Sequence, residues 1–227
     1  MCTLTYLPTG KDSFIWTQNR DESPLRTSPG LHKKDGLIFP QEPLSGGTWM
    51  AIAQDHRVLS LLNGAFERNK YVLSSKRSRG LVVLDFFERE TEDFFSNYDL
   101  EGIEPFTMIV YDAGQLWDFR WDKTKRHLKP LDVTKPQIWS SSSLYPQAVK
   151  EDRKKWFNSY LEEHTEHTQT TILEFHNNGG TGDAANDLIM DRGLVKTVSI
   201  TQIVKTNSSL SMEYTDLVNG GKALDAF

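Results

Sequence analysis

Cys2-Thr3-Leu4-Thr5-Tyr6-Leu7, then Pro8-Thr9-Gly10, then Phe14-Ile15-Trp16-Thr17-Gln18 running into Asn19-Arg20-Asp21-Glu22: this opening stretch decides how the chain is read. The two apolar-rich runs are extended in pattern, and Pro8-Thr9-Gly10 is a turn signal between them. They predict a hairpin that delivers Asn19 to Glu22 beside the start of the chain. Cys2 is the only cysteine, and removal of Met1 makes it residue one. A thiol on a terminal residue carries its own base, because a neutral α-amine (reference pKa about 7.7–8.0) accepts the thiol proton near neutral pH. A free cysteine on an edge strand is commonly just a small buried hydrophobe. The adjacent Arg20 and Asp21 favour a functional thiol here: an arginine lowers a thiol pKa, and a carboxylate can hold or orient the terminal amine.

The remaining pattern alternates strands with inserted helices. Ser23 to Pro43, with four prolines and two glycines, reads as a long irregular loop. Thr48–Ala53 and Val58–Leu62 predict a second hairpin that ends at the turn dipeptide Asn63-Gly64. Leu81–Tyr98 reads as one helix. Phe106–Tyr111, Gln115–Trp121 and Leu128–Leu131 form a meander, and Gln137–Ser141 a further strand. Gln147–His164 is the clearest amphipathic helix, with Val149, Trp156, Phe157, Tyr160 and Leu161 on one face. Asn177–Gly182 reads as a glycine-rich loop without a phosphate-binding fingerprint, followed by a short helix over Ala184–Met190. Val195–Val204 and Leu210–Tyr214 close the chain as a hairpin, and the last dozen residues read as frayed. Strands joined by short hairpins imply an α+β protein with antiparallel sheets, folded as one domain over residues 1–227.

Composition excludes several classes. The chain has 227 residues, 37% hydrophobic and 25% charged, as a folded globular protein does. A net charge of −5 argues against a nucleic-acid surface. The densest basic stretch, Arg68 to Arg79, reads as a solvated loop leading into a helix. One cysteine forms no internal disulfide, no apolar run is long enough to cross a membrane, and no basic leader precedes an apolar segment. The expected compartment is cytoplasmic. His164 and His167 are three apart but have no third ligand to complete a metal site, so no metal and no cofactor is expected. His176 follows Leu173-Glu174-Phe175 with nothing to favour a ligand role over a surface position. Ser140 to Ser143 holds hydroxyls with neither a nucleophile-elbow context nor an assignable base.

Three motifs in order carry a resemblance: Met-Cys-Thr at the start, the tetrad Asn19-Arg20-Asp21-Glu22, and Ser45-Gly46-Gly47-Thr48-Trp49-Met50. With Leu61-Leu62-Asn63-Gly64 as the next landmark, the chain resembles the NRDE family, that of transport and Golgi organisation protein 2 and its bacterial relatives. That family looks like a branch of the N-terminal nucleophile hydrolases, nearest to bile-salt hydrolases and penicillin V acylases. The resemblance implies a four-layer α-β-β-α sandwich with Cys2 as nucleophile, Asp21 as its supporting aspartate, Asn63 as an oxyanion-hole asparagine and Arg20 stabilising charge. Those enzymes place an arginine three residues before the aspartate, where this chain has Gln18. Their second asparagine falls among Ser140 to Ser143, and their late arginine has only Lys196 and Arg192 nearby. Asn19, Glu22, Gly46, Gly47 and Trp49 are the implied binding residues, the two glycines letting backbone come close to a ligand or to the chain terminus. Two functions follow from the resemblance: a cysteine-dependent amide hydrolase or acyl-transfer enzyme, or a non-enzymatic binder of haem or lipid in the same pocket. In either case the partner is a small molecule, not nucleic acid.

Overall fold

The structure is a computed structural model, and it describes residues 2–67, 77–164 and 166–227. The basic stretch from Arg68 to Lys76 lies outside the described residues, as does Met1. The opening hairpin is β1 (Cys2–Gly10) and β2 (Ser13–Glu22). A 3-10 turn at Pro24–Arg26 leads to β3 (Leu31–Lys34), β4 (Leu37–Pro40), β5 (Met50–Ala53) and β6 (Val58–Asn63). Helices α1 (Arg79–Phe87) and α2 (Thr91–Asn97) precede the meander β7 (Phe106–Asp112), β8 (Gln115–Trp121) and β9 (Arg126–Leu131). Then come β10 (Gln137–Ser140), α3 (Gln147–Glu163), α4 (Gln169–Asn178), β11 (Lys196–Lys205), β12 (Leu210–Asp216) and β13 (Lys222–Ala226).

The strands form two antiparallel sheets, ordered β10-β1-β2-β11-β12-β13 and β3-β4-β5-β6-β7-β8-β9. Period-2 alternation sorts the hairpin's side chains between two cores. Leu4, Tyr6, Phe14 and Trp16 point between the sheets and pack on Ile38, Met50, Ile52, Leu62 and Ile109. Leu7 and Ile15 point outward onto Phe157, Tyr160 and Ile172 of α3 and α4. On the far side, Val82, Val83, Phe86, Phe94 and Phe95 of α1 and α2 cover Ala51, Leu59 and Phe119 of the second sheet. Each of these fully buried large side chains stabilises the fold by about 1.5–3 kcal/mol. The result is the expected α+β architecture, a four-layer α-β-β-α sandwich.

The edges of the two sheets are tied together. Lys33 on β3 donates to Asp225 Oδ1 and to the carbonyl of Ala226, both at 2.9 Å, joining β3 to β13. Across the opposite edge, Trp139 Nε1 on β10 donates to Asp118 Oδ2 on β8 at 3.3 Å.

Several elements differ from the sequence reading. The Pro- and Gly-rich stretch after Ser23 contains the hairpin β3–β4, turned at Asp35 and Gly36 with φ of 51° and 74°. The single helix expected over Leu81–Tyr98 is two helices, broken between Phe87 and Thr91, because the Phe86 and Phe94 rings pack edge-on only if the chain bends between them. Residues 169–178, read without a helix, form α4, started by a capping box in which Thr168 and Thr171 satisfy each other's backbone N–H groups. Ala184–Met190 is a turn rather than a helix. The C-terminal residues are not frayed: β13 pairs with β12 from Ser211↔Ala226 to Thr215↔Lys222.

Candidate active site

Antiparallel pairing sets Cys2 directly opposite Arg20, so the two side chains share the face between the sheets, with β-carbons about 4.5–5.5 Å apart. Both are buried. The Arg20 guanidinium lies 4.0 Å from the Trp49 ring centroid and donates to the carbonyl of Arg26. Burial pulls this guanidinium below its ordinary pKa, opposed by the Glu22 and Cys2 charges. Cys2 and Arg20 form one wall of a cleft of about 100 Å³, completed by Glu22, Trp49, Asn63 and the start of α1 at Ser78 to Gly80. The Asn63 side-chain amide makes no hydrogen bond with the described residues. Its backbone is held instead: the Asn63 carbonyl accepts from Ser141 Oγ at 2.7 Å and from the Ser143 N–H at 3.2 Å. The Ser141 N–H also donates to the carbonyl of Cys2 at 2.9 Å, so this serine loop fixes Cys2 and Asn63 relative to each other.

Carboxylates frame the mouth. Glu42 accepts from Arg26 Nη2, from Ser45 Oγ and from the backbone N–H groups of Leu44 and Ser45. Burial alone raises its pKa, but these donors outweigh it and hold the group at about 2. Glu22 pairs with Arg26 at 3.3 Å. The glycines have structural tasks in this frame. A Cβ on Gly47 falls 2.5 Å from the Gly80 carbonyl carbon, and the Thr48 N–H donates to the Gly80 carbonyl at 3.0 Å. The close approach that Gly47 permits is therefore to the first turn of α1. Gly46 supplies the turn itself at φ 71° and is not part of the cleft wall.

Asp21 faces the other way. Its side chain is fully buried on the helix-covered face, where Oδ2 accepts from Tyr145 at 2.6 Å and Oδ1 from Thr197 at 2.7 Å. It therefore does not share a face with the Cys2 thiol. Asp21 is the residue of β2 that follows Arg20, the partner of Cys2 at the start of β1. Desolvation raises the Asp21 pKa, and Arg153, Tyr145 and Thr197 counter it. Arg153, on α3, is also fully buried. Its guanidinium stacks 3.7 Å from the Tyr145 ring centroid and donates to Thr3 Oγ1 and to the Asn186 and Asp187 carbonyls.

Asn19 shares this buried face and does not reach the cleft. Its Nδ2 donates to the carbonyls of His176 and Leu188 at 3.0 and 2.9 Å, and its Oδ1 accepts from His176 Nδ1 at 2.6 Å. That assignment leaves His176 Nε2 to accept from Thr5 Oγ1 at 2.8 Å. His176, for which the sequence favours no ligand role over a surface position, is completely buried, and desolvation brings its pKa down to about 3. Arg153 and Tyr145 escaped the sequence reading. A signal existed: Arg153 falls four residues after Val149 and four before Phe157, a charge on the apolar stripe of α3. His164 bonds the carbonyl of Tyr160, and no group of three metal-ligating side chains occurs among the described residues.

Several solved structures share this fold. The fold is similar to that of the Caenorhabditis elegans N-acylethanolamine-hydrolyzing acid amidase ortholog, with a TM-score of 0.62 at 16% identity over 89% of this chain and 92% of that one. It is also similar to penicillin V acylase from Agrobacterium tumefaciens (TM-score 0.56, 7% identity, 99% and 85% of the two chains). A variant of the conjugated bile acid hydrolase from Clostridium perfringens matches with a TM-score of 0.54 at 10% identity, over 99% and 92%. These likenesses establish an N-terminal-nucleophile-hydrolase-like fold. No curated protein matches the chain. The sequence model described as Transport and Golgi organisation 2 matches residues 1–211, and with its opening cysteine, its tetrad and its glycine pair all in that span, the chain belongs to the Transport and Golgi organisation 2 family.

Proposed function

We propose that the protein is a cysteine-nucleophile hydrolase or acyl-transfer enzyme acting on a small-molecule amide, with Cys2 as the attacking group once Met1 is removed. The observation that carries this reading is the Cys2–Arg20 cross-strand pair in one cleft with the unbonded Asn63 amide. The freed α-amine takes the thiol proton, and Sγ attacks the amide carbon. The Asn63 Nδ2–H and the Arg20 charge stabilise the oxyanion that forms. Collapse breaks the C–N bond while the ammonium protonates the leaving nitrogen. Water, or an acceptor amine, then cleaves the thioester with the same amine as base. Asp21, held by Tyr145 and Thr197, orients it.

The second reading, a haem or lipid binder, has a size argument attached to it. A space of about 100 Å³ beside Cys2 is too small for a tetrapyrrole, since drug-sized ligands occupy sites of about 300–1,000 Å³. A cleft of about 850 Å³ opens at the other end of the sandwich, floored by Tyr6, Phe14 and Tyr111. Of these two clefts, the larger alone has the volume of a site for such a ligand.

The test is turnover of an N-acylethanolamine, penicillin V and a conjugated bile acid by protein whose intact mass confirms loss of Met1. Cys2→Ala is expected to abolish turnover, by at least about 10³-fold, with unchanged melting temperature. Absence of turnover in the fully processed wild type, or its persistence in the variant, refutes the enzymatic reading. Haem titration of both proteins, with Tyr111→Ala as the competing variant, then decides for the binder.

A further inference from the structure

A third cleft, of about 220 Å³, lies between the first turns of α3, the edge strand β10 and strands β6 to β8. Gln147, Lys150, Glu151 and Lys154 are spaced i, i+3, i+4 and i+7, so they form one stripe of α3, and this stripe lines the cleft. The stripe that carries Arg153 and Phe157 faces the core instead.

Lys150 is the informative residue. Its ammonium is half withdrawn from water and donates to Ser142 Oγ at 3.1 Å and to the Phe66 carbonyl at 3.2 Å. No carboxylate among the described residues bonds to it or pairs with it. What faces it is another cation, Arg120, and burial together with that neighbour lowers the Lys150 pKa. A partly desolvated ammonium set against a guanidinium is unfavourable unless an anion joins them. Arg120 is itself engaged, with Nε and Nη2 on Asp118 at 2.7 Å each and Nη1 on the Ala65 carbonyl. Lys154 lines the same wall, and Glu151 is the carboxylate there, accepting from Gln147 Nε2 at 3.1 Å. Three cations against Asp118 and Glu151 leave an excess of positive charge in the cleft. The N-terminus of α3 adds to it, because Pro146 provides no side-chain cap for the first-turn N–H groups.

We propose that this cleft binds the phosphate group of a small soluble metabolite, held by the Lys150 and Lys154 ammonium groups. The donor set selects phosphate over carboxylate. Planar bidentate recognition of a carboxylate uses an arginine fork, and the Arg120 fork is already occupied by Asp118. The donors that remain are the ammonium groups of Lys150 and Lys154, point charges that impose no planar geometry, which suits a tetrahedral anion. The site stands independently of the Cys2 chemistry, although the Ala65 carbonyl, bonded by both Arg120 and Ser142, lies two residues from Asn63.

Isothermal titration of the full chain with inorganic phosphate, glycerol 3-phosphate and acetate tests this, with phosphatidylglycerol vesicles as a separate arm. Both soluble phosphates are expected to saturate one site, and acetate to bind about tenfold more weakly. Lys150→Gln should weaken phosphate by about tenfold and Lys154→Gln by about threefold. Lys155→Gln, on the same helix but paired with Asp152, should leave it unchanged. Because Lys154 is exposed, its variant remains informative if Lys150→Gln folds poorly. The proposal fails if phosphate does not saturate, if both cleft variants bind as the wild type does, if acetate binds equally well, or if only the vesicles retain the protein.

Discussion

Arg20 and Asp21 are adjacent in sequence and occupy opposite chemical settings. Arg20, with Cys2 and Glu22, lines a cleft at the surface of the inter-sheet core. Asp21, with Asn19, sits in a closed polar network beneath α3 and α4, where Tyr145, Thr197, His176 and Arg153 satisfy it. The tetrad Asn-Arg-Asp-Glu is therefore two half-motifs interleaved by the pleat: Arg20 and Glu22 line the cleft, while Asn19 and Asp21 lock the strand. A run of polar residues on a strand is one site only if alternate members are considered together.

Substitutions on the helix-covered face are therefore expected to register as stability and those on the cleft face as reactivity. The largest stability loss is expected for Arg153→Met, which leaves the buried Asp21 carboxylate without its nearest compensating charge. Chemical denaturation should show about 3–5 kcal/mol. Asn19→Ala comes next at about 2–3 kcal/mol, since the His176 carbonyl and imidazole N–H lose their Asn19 partners and the Leu188 carbonyl keeps only Thr197 Oγ1. Both variants should keep normal thiol reactivity in the molecules that remain folded, measured by alkylation rate below the transition. A large change in that rate with little loss of stability would dissolve the distinction.

On the cleft face, Arg20→Ala should slow iodoacetamide alkylation of Cys2 at fixed pH by about threefold or more, because it removes the cation that faces the nucleophile. An unchanged rate means that Arg20 acts on the ligand rather than on the thiol. The smallest effect is a pH dependence. The His176 pKa is about 3 in the fold against 6.5 in the unfolded chain, so the unfolded state binds the proton more readily. Above 6.5 the residue is neutral in both states and contributes no pH slope. As pH falls from 6.5 towards 3, stability is lost at up to about 1.4 kcal/mol per unit. His176→Gln should flatten that part of the stability profile, and a parallel slope in the variant would assign the acid sensitivity to other groups.

The opening hairpin was legible because period-2 patterning holds from Cys2 to Glu22, although its turn falls at Lys11 and Asp12 and the expected turn residues Pro8 to Gly10 continue β1 past a bulge. The same alternation already implied that Arg20 and Asp21 diverge, since neighbouring strand residues point to opposite faces. β3, β4 and β13 were hidden by brevity: four- and five-residue strands at sheet edges, with Leu224 turned out to solvent, carry little hydrophobic signal. The break between α1 and α2 was hidden because Phe87 and Phe94 are seven apart, a helical spacing, and neither glycine nor proline lies between them. Of the site, Cys2, Arg20, Glu22, Trp49 and Asn63 converge on one cleft, and their motifs announced them. Glu42 and Arg26, which frame it, belong to no motif, and only the folded path of the Ser23–Pro43 segment brings them there.

The stitching of β3 to β13 through Lys33 and Asp225 has a bearing on colloidal behaviour. An open strand edge is a template for another chain, and a sandwich of two open sheets has four such edges to protect. Here a short strand covers β12, and a lysine holds it against the edge of the other sheet. Deleting residues 218–227 therefore does more than trim a tail: it bares the backbone of Leu210–Asp216 along its whole length. The shortened protein should self-associate at concentrations where the full chain stays monodisperse in light scattering, and Lys33→Glu should lower that threshold in the full chain as well.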